Sequence, residues 1–186
     1  MNKEMFILPG DVLEDALKRH PGKPAQVILC RTGDDGKLSQ LATKFLHLKF
    51  DDITREMGGG VMEGVKDGKY TLPGKHHVQQ AIEFDKSRDK NLPLFVCCRA
   101  GISRSTAMAF SIMVARGMEP MKAVDMVFAL VPYASPNLDI VNFGLLLAGK
   151  VQHRVRVVEA IKQKKREWES SRKDIAIIIP GFASAE

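Results

Sequence analysis

Residues 92–106 constrain this chain more than any other stretch. An apolar run over 92–97 reads as a buried strand, Gly101 marks a tight turn, and 105–116 reads as a helix. Cys98 and Arg104 stand at C-x5-R spacing across that turn, and a hydroxyl, Ser105, follows directly. A strand, a glycine turn and a helix start form a cradle for an oxyanion, because successive backbone N–H groups point inward and the helix N-terminus adds positive potential. The same field favours the ionised form of a thiol at its centre, so Cys98 is expected as a thiolate near neutral pH. Arg104 supplies a planar fork able to grip two oxygens. Free cysteines are usually core residues, which is the bland alternative for Cys98. An arginine at a helix start, however, opposes the macrodipole and implies an anion there. Nucleophile, cradle and clamp together point to cysteine-dependent phosphoryl transfer.

The rest of the chain alternates strands and helices. A helix is predicted over 11–20 between Pro9-Gly10 and Pro21-Gly22, and a strand over 25–30. A Gly/Asp-rich turn follows over 31–37, then a second strand over 43–50. A helix over 73–88 precedes the signature strand. Further helices are expected from Ser105, from Glu119-Pro120 to Leu130, and from Ser135 as N-cap with Pro136 in the first helical position. This pattern argues an α/β fold with a central, mostly parallel sheet flanked by helices. Ligands bind such sheets beyond the carboxyl ends of the strands, where the signature loop falls.

The form C-x-A-G-x-S-R-S over 98–105 resembles the signature of the protein tyrosine phosphatase superfamily, closest to its dual-specificity-phosphatase-like branch and to compact bacterial and phage-type members. The likeness spans residues 25–150. It implies a cysteine-phosphatase-like domain over 1–150, and beyond the likeness the charge and hydropathy pattern reads as a basic C-terminal helix and an apolar tail over 151–186, packed on the same domain. It further implies that Cys98 attacks phosphorus and that the loop residues Arg99, Ala100, Gly101, Ile102 and Ser103, with Arg104, hold the phosphoryl oxygens. Ser105 helps the thiolate leave. No metal or other cofactor is implied. The substrate class that follows is protein phosphotyrosine, extending to phosphoserine and phosphothreonine in a shallow pocket. A phosphoinositide or other non-protein phosphate ester is the alternative substrate, suited to Arg99 and the positive tail. A catalytically silent phosphate-binding module is the alternative of another kind. One departure is plain: the family usually carries histidine before the cysteine, and here it is Cys97.

The resemblance also calls for an aspartate as general acid, on a loop after a strand. The 43–50 strand runs into Asp51 and Asp52, which rank second and first; plain turn chemistry is the other account of such a pair. Asp67 ranks third. It sits at the family's usual spacing from Cys98, but within a glycine-rich insertion, Gly58 through Tyr70, expected to be a loose lid or an idle excursion. Pro136-Asn137 resembles a family pair whose asparagine supports the catalytic loop, though Asn137 also suits a plain cap.

Composition sets outer limits. With 186 residues the chain can bury a sizeable core. Three cysteines, two of them adjacent, make neither a disulfide framework nor a zinc set, so a reduced, cytoplasmic setting is expected, with Cys30 and Cys97 as core thiols. One of them could also form a reversible disulfide with Cys98. The apolar run Met5 to Leu8 is too short for a signal peptide, and no stretch reaches the length of a membrane span. Lys150 to Lys173 holds nine Lys/Arg against three Glu, matching the whole net charge of +6. That is a solvated helix face or a surface for an anionic partner. With Trp168 the only aromatic there, nucleic acid is not expected. His76 and His77 are read as surface residues and His47 as exposed. Residues 175–179 are β-branched and read as an added strand or a surface docking on another copy.

Overall fold

The computed structural model describes residues 5–19, 24–35 and 37–178, with backbone alone over 172–178. Four strands, β1 (Met5–Pro9), β2 (Gln26–Cys30), β3 (Lys44–Leu48) and β4 (Leu94–Cys98), form one all-parallel sheet in the order β1-β4-β2-β3. The central pair reads as continuous apolar runs because both of its faces are covered. Strand alternation then sorts the side chains. Ile28, Cys30, Val96 and Cys98 face one core cluster, while Val27, Leu29 and Cys97 face the other. The smaller cluster is closed by Leu13 and Leu17 of α1 (Gly10–Arg19) and Leu38 of α2 (Leu38–Leu41).

The larger cluster is built around α5 (Arg104–Ala115), buried on every side from Arg104 to Val114. Around it lie α4 (Lys75–Ser87), α6 (Pro120–Leu130), α7 (Leu138–Leu147) and α8 (Arg154–Ile178), the last contributing Val157 and Ile161. Helices α5 and α7 approach so closely that a Cβ on Gly144 would run into Ser111. Asp85 of α4, 3% exposed, ties this side together: it accepts from Arg88 Nε at 2.7 Å and from Arg116 Nε and Nη2 at 2.9 and 2.6 Å.

Several expectations need correcting. Met5–Pro9 is an edge strand paired with β4, not merely a short apolar run. The glycine-rich insertion holds a helix, α3 (Gly59–Lys66), because the ring of Tyr70 seats against Gly64, where a Cβ would lie 2.6 Å away. Helix α7 is capped by Asn137 rather than Ser135, since the Ser135 and Asn137 N–H groups go to Ile102 O and Ser103 O of the signature loop. His77 is buried: its ring packs on Phe50 at 4.8 Å, and its Nδ1 accepts from Gly74 N. His47 is half-buried, its Nε2 2.9 Å from Arg31 O. The segment read as a strand over 175–179 is helical to Ile178. The charged run before it, with Gln163–Glu167 and Lys165–Glu169 pairs, propagates the helix, and the helical penalty of isoleucine is only tenths of a kcal/mol. His20, Pro21-Gly22, Gly36, Ile179 and Pro180-Gly181 lie outside the described residues. Among the described residues, no helix is long and apolar enough to cross a membrane.

Candidate active site

The signature loop links the carboxyl end of β4 to the start of α5, and β1 fixes its shape from below. Gly101 has φ +72°, and a Cβ there would meet Pro9 N at 2.8 Å and Leu8 C at 3.0 Å. Only glycine satisfies both demands. Thr106 Oγ1 braces the turn by donating to Ile102 O at 2.6 Å or to Ser103 O at 2.8 Å.

Inside this frame Cys98 Sγ accepts from Gly101 N at 3.2 Å and lies 3.2 Å from Ser105 Oγ. Cys98 is 2% exposed and Ser105 is fully buried, so the loop shields the sulfur closely. Arg104 turns inward. It is 8% exposed and its Nη1 donates to Phe50 O at 2.9 Å. Among the described residues, Nε of Arg104 is buried with no acceptor. A buried cationic N–H left unpaired is costly, and an oxyanion in the loop would satisfy it.

Beside the loop opens a cavity of about 410 Å³, lined by Arg31, Thr32, Asp34, Asp51, Asp52, Arg99 and Arg104. Ala100, Ile102 and Ser103 belong to the loop but not to this lining, and neither does Cys98. The two neighbouring aspartates are placed differently. Asp51 is consumed structurally: Oδ1 accepts from Thr32 Oγ1 and Oδ2 from Thr71 N. Asp52 lines the cavity and accepts at Oδ1, from Ser103 Oγ at 2.7 Å and Asn137 Nδ2 at 3.2 Å, while among the described residues its Oδ2 has no partner. Asp67 caps the carboxyl end of α3 and lines none of this cavity.

Cys97 sits on the opposite sheet face from Cys98, among Leu13, Leu17 and Leu29. Burial, with the neighbouring Cys98, pushes its thiol up, and burial does the same to Cys30, so both stay neutral. All three cysteines are free thiols.

Asn137 plays both roles weighed from the sequence. It caps α7 through Ile140 N and holds the Asp52 turn through Asp52 Oδ1 and Ile53 O. Sequence reasoning missed Arg31 and Thr32. Their position directly after β2, at the carboxyl edge of the sheet, was the available signal.

No protein-family model matches this chain, and no curated protein matches it. Solved structures do. PTPMT1 in complex with PI(5)P shares 14% identity with a TM-score of 0.52, over 82% of this chain and 94% of that one. Tk-PTP in the active form shares 13% identity with a TM-score of 0.51, over 80% and 92%. This is the protein tyrosine phosphatase fold. In that phosphatase fold, the strand–loop–helix of residues 94–115 carries the signature read from the sequence.

Proposed function

We propose that the protein is a cysteine-dependent phosphatase of phosphomonoesters, acting on protein phosphotyrosine and, where the pocket admits them, on phosphoserine and phosphothreonine. The observation that carries this reading is the buried Nε of Arg104, which has no partner among the described residues, on the loop that encloses Cys98: a cation turned inward with a donor free for an oxyanion.

The loop amides from Arg99 to Arg104 and the Arg104 fork hold the phosphoryl oxygens. The Cys98 thiolate forms an S–P bond as the ester P–O bond breaks, and Asp52 Oδ2 gives its proton to the departing oxygen. Water then attacks phosphorus, Asp52 takes its proton, and the S–P bond breaks. The sulfur leaves as thiolate, stabilised by the Ser105 hydroxyl 3.2 Å away. The products are an alcohol or phenol and inorganic phosphate. The catalytic thiol must stay free, in keeping with a reduced, cytoplasmic setting. In this reading residues 1–150 form the catalytic unit, and the basic helix within the C-terminal segment 151–186 offers its charge to an anionic partner.

A second substrate reading rests on Arg31 and Arg99, which line the cavity beside Arg104, Arg31 being held there by donating Nε and Nη2 to Asp34 O at 2.9 and 2.6 Å. They suit a substrate with a second anionic group, such as a phosphoinositide, and the fold neighbour PTPMT1 is solved with PI(5)P.

Metal-free hydrolysis of p-nitrophenyl phosphate tests the enzyme. Turnover abolished by Cys98→Ser supports it; absent turnover with tungstate still bound identifies a silent binding module. A panel of phosphopeptides and phosphoinositides separates the substrate classes. Asp52→Asn keeps an Oδ1 acceptor for Ser103 and Asn137, so a loss of about 10² or more in kcat isolates the lost proton. An unchanged rate at every pH removes Asp52 from the mechanism.

A further inference from the structure

Asp52 stands on a turn whose far side is fastened to α7 by residues that never touch the reacting centre. The Arg55 backbone N–H donates to Asp139 Oδ2 at 2.9 Å. The Arg55 guanidinium lies over the Phe143 ring, 5.2 Å from its centroid. Upstream the same turn is pinned at Asp51, whose N–H donates to Thr71 O and whose carboxylate accepts from Thr32 and Thr71. Asp52 is therefore suspended between two anchors, one at Asp51 and one at Arg55.

We propose that Asp139, aided by Phe143, is a positioning residue for general-acid catalysis: by clamping Arg55 to the first turn of α7, it sets the reach of Asp52 into the cavity. The inference rests on the phosphatase reading above. Three features support it. An aspartate in the first turn of a helix ordinarily serves that helix, by capping or by opposing its dipole. In α7 the capping is done by Asn137, which accepts from Ile140 N, so Asp139 is released to reach across to another segment. The Arg55 side chain lies on the ring of Phe143, a second contact between the acid's turn and α7. The contact also bridges 84 residues of sequence, joining the acid's turn to the helix whose cap, Asn137, already holds Asp52 Oδ1. A general acid works only within hydrogen-bond reach of the leaving oxygen. A misplacement of about 1 Å costs on the order of 10²-fold.

The clamp is reached from solvent through a cavity of about 400 Å³ lined by Arg55, Asp139, Phe143 and Arg154, so its removal leaves no buried void. That makes the test clean. The full-length wild type, Asp52→Asn, Asp139→Ala, Asp139→Asn and Phe143→Leu are compared on two substrates. 2,4-Dinitrophenyl phosphate has a leaving group that departs unprotonated; phenyl phosphate has one that needs the acid. Because hydrolysis of the phosphocysteine is common to both esters, the readout is kcat/KM: Asp139→Ala should lower it on phenyl phosphate by about 10- to 100-fold and on the dinitrophenyl ester by less than about threefold, reproducing part of the Asp52→Asn pattern. Phe143→Leu should show the same selectivity more weakly. Asp139→Asn keeps an oxygen acceptor for the Arg55 N–H and should restore the rate.

Equal losses on both esters from Asp139→Ala, or an Asp139→Asn as slow as Asp139→Ala, overturn the clamp. So does an Asp139→Ala that matches wild type while Asp52→Asn discriminates between the esters. An absence of turnover in the wild type, or an Asp52→Asn that does not discriminate, instead overturns the reading on which the clamp rests.

Discussion

Gly101→Ala is the sharpest single perturbation of the signature loop. At φ +72° an alanine pays about 1–2 kcal/mol for left-handed backbone. Its methyl would lie 2.8 Å from Pro9 N, 2.9 Å from Pro9 Cδ and 3.0 Å from Leu8 C, where ordinary contact begins at 3.4 Å. Because the opposing atoms are mostly backbone, no side-chain rotamer relieves the clash, which adds about 1–3 kcal/mol. The combined strain, about 2–5 kcal/mol, is a sizeable share of the 5–15 kcal/mol typical of a domain. It can be released by parting the loop from β1 by about 0.6 Å. That shift carries the Gly101 N–H away from Cys98 Sγ, now at 3.2 Å, and misaligns the amides meant for the phosphoryl oxygens. Strain kept lowers stability; strain released lowers kcat. Urea titration and p-nitrophenyl phosphate kinetics on the same preparation measure both channels. A variant within about 0.5 kcal/mol of wild type that also keeps kcat/KM within twofold refutes the account of this loop.

Two further predictions concern the frame. Burial acts to raise the Asp85 carboxyl, but hydrogen bonds from Arg116 and Arg88 outweigh it and hold the group well below the usual carboxylate range. Its stabilisation is therefore complete above about pH 4 and is lost as pH falls through the depressed folded value. Asp85→Asn, which leaves the Arg88 side chain 2% exposed and without its counter-charge, should cost about 3–5 kcal/mol by urea titration at pH 7; a cost below about 1 kcal/mol contradicts the network. His77 acts in the same direction but at higher pH. Burial and its neighbour His76 lower it from 6.5 to about 4, so the unfolded chain takes up the proton first. Stability is full above pH 6.5 and declines on acidification towards 4, by about 1–2 kcal/mol after solvent screening. Thermal melts between pH 7 and 4.5 should show this slope in wild type and a flatter one in His77→Phe.

What was legible in the sequence follows from how local each cause is. The strand–loop–helix around Cys98 and Arg104 is written in adjacent residues, which is why its form could be read without the rest of the chain. Asp52 was legible as a residue after a strand, whereas its separation from Asp51 depends on Thr32 and Thr71, distant in sequence. Strand β1 was missed because five residues ending in proline carry little periodicity of their own; what makes them a strand is β4, far along the chain. The helical α3 depends in the same way on a later residue, Tyr70, settling against Gly64. The buried state of His77 depends on Phe50, and the register of α7 on loop carbonyls that claim the N–H groups of Ser135 and Asn137.

The contact of Pro9 and Leu8 with Gly101 has a kinetic consequence. The parallel pairing of Met5 with Leu94 closes a span of about ninety residues, among the slow, entropically late events of folding. Strand β1, joined late to β4, is therefore the element that finishes the anion cradle. A chain lacking Met5–Pro9 would keep every signature residue and lose the wedge that shapes them, so recovery of turnover on refolding should track the docking of β1 rather than early helix formation.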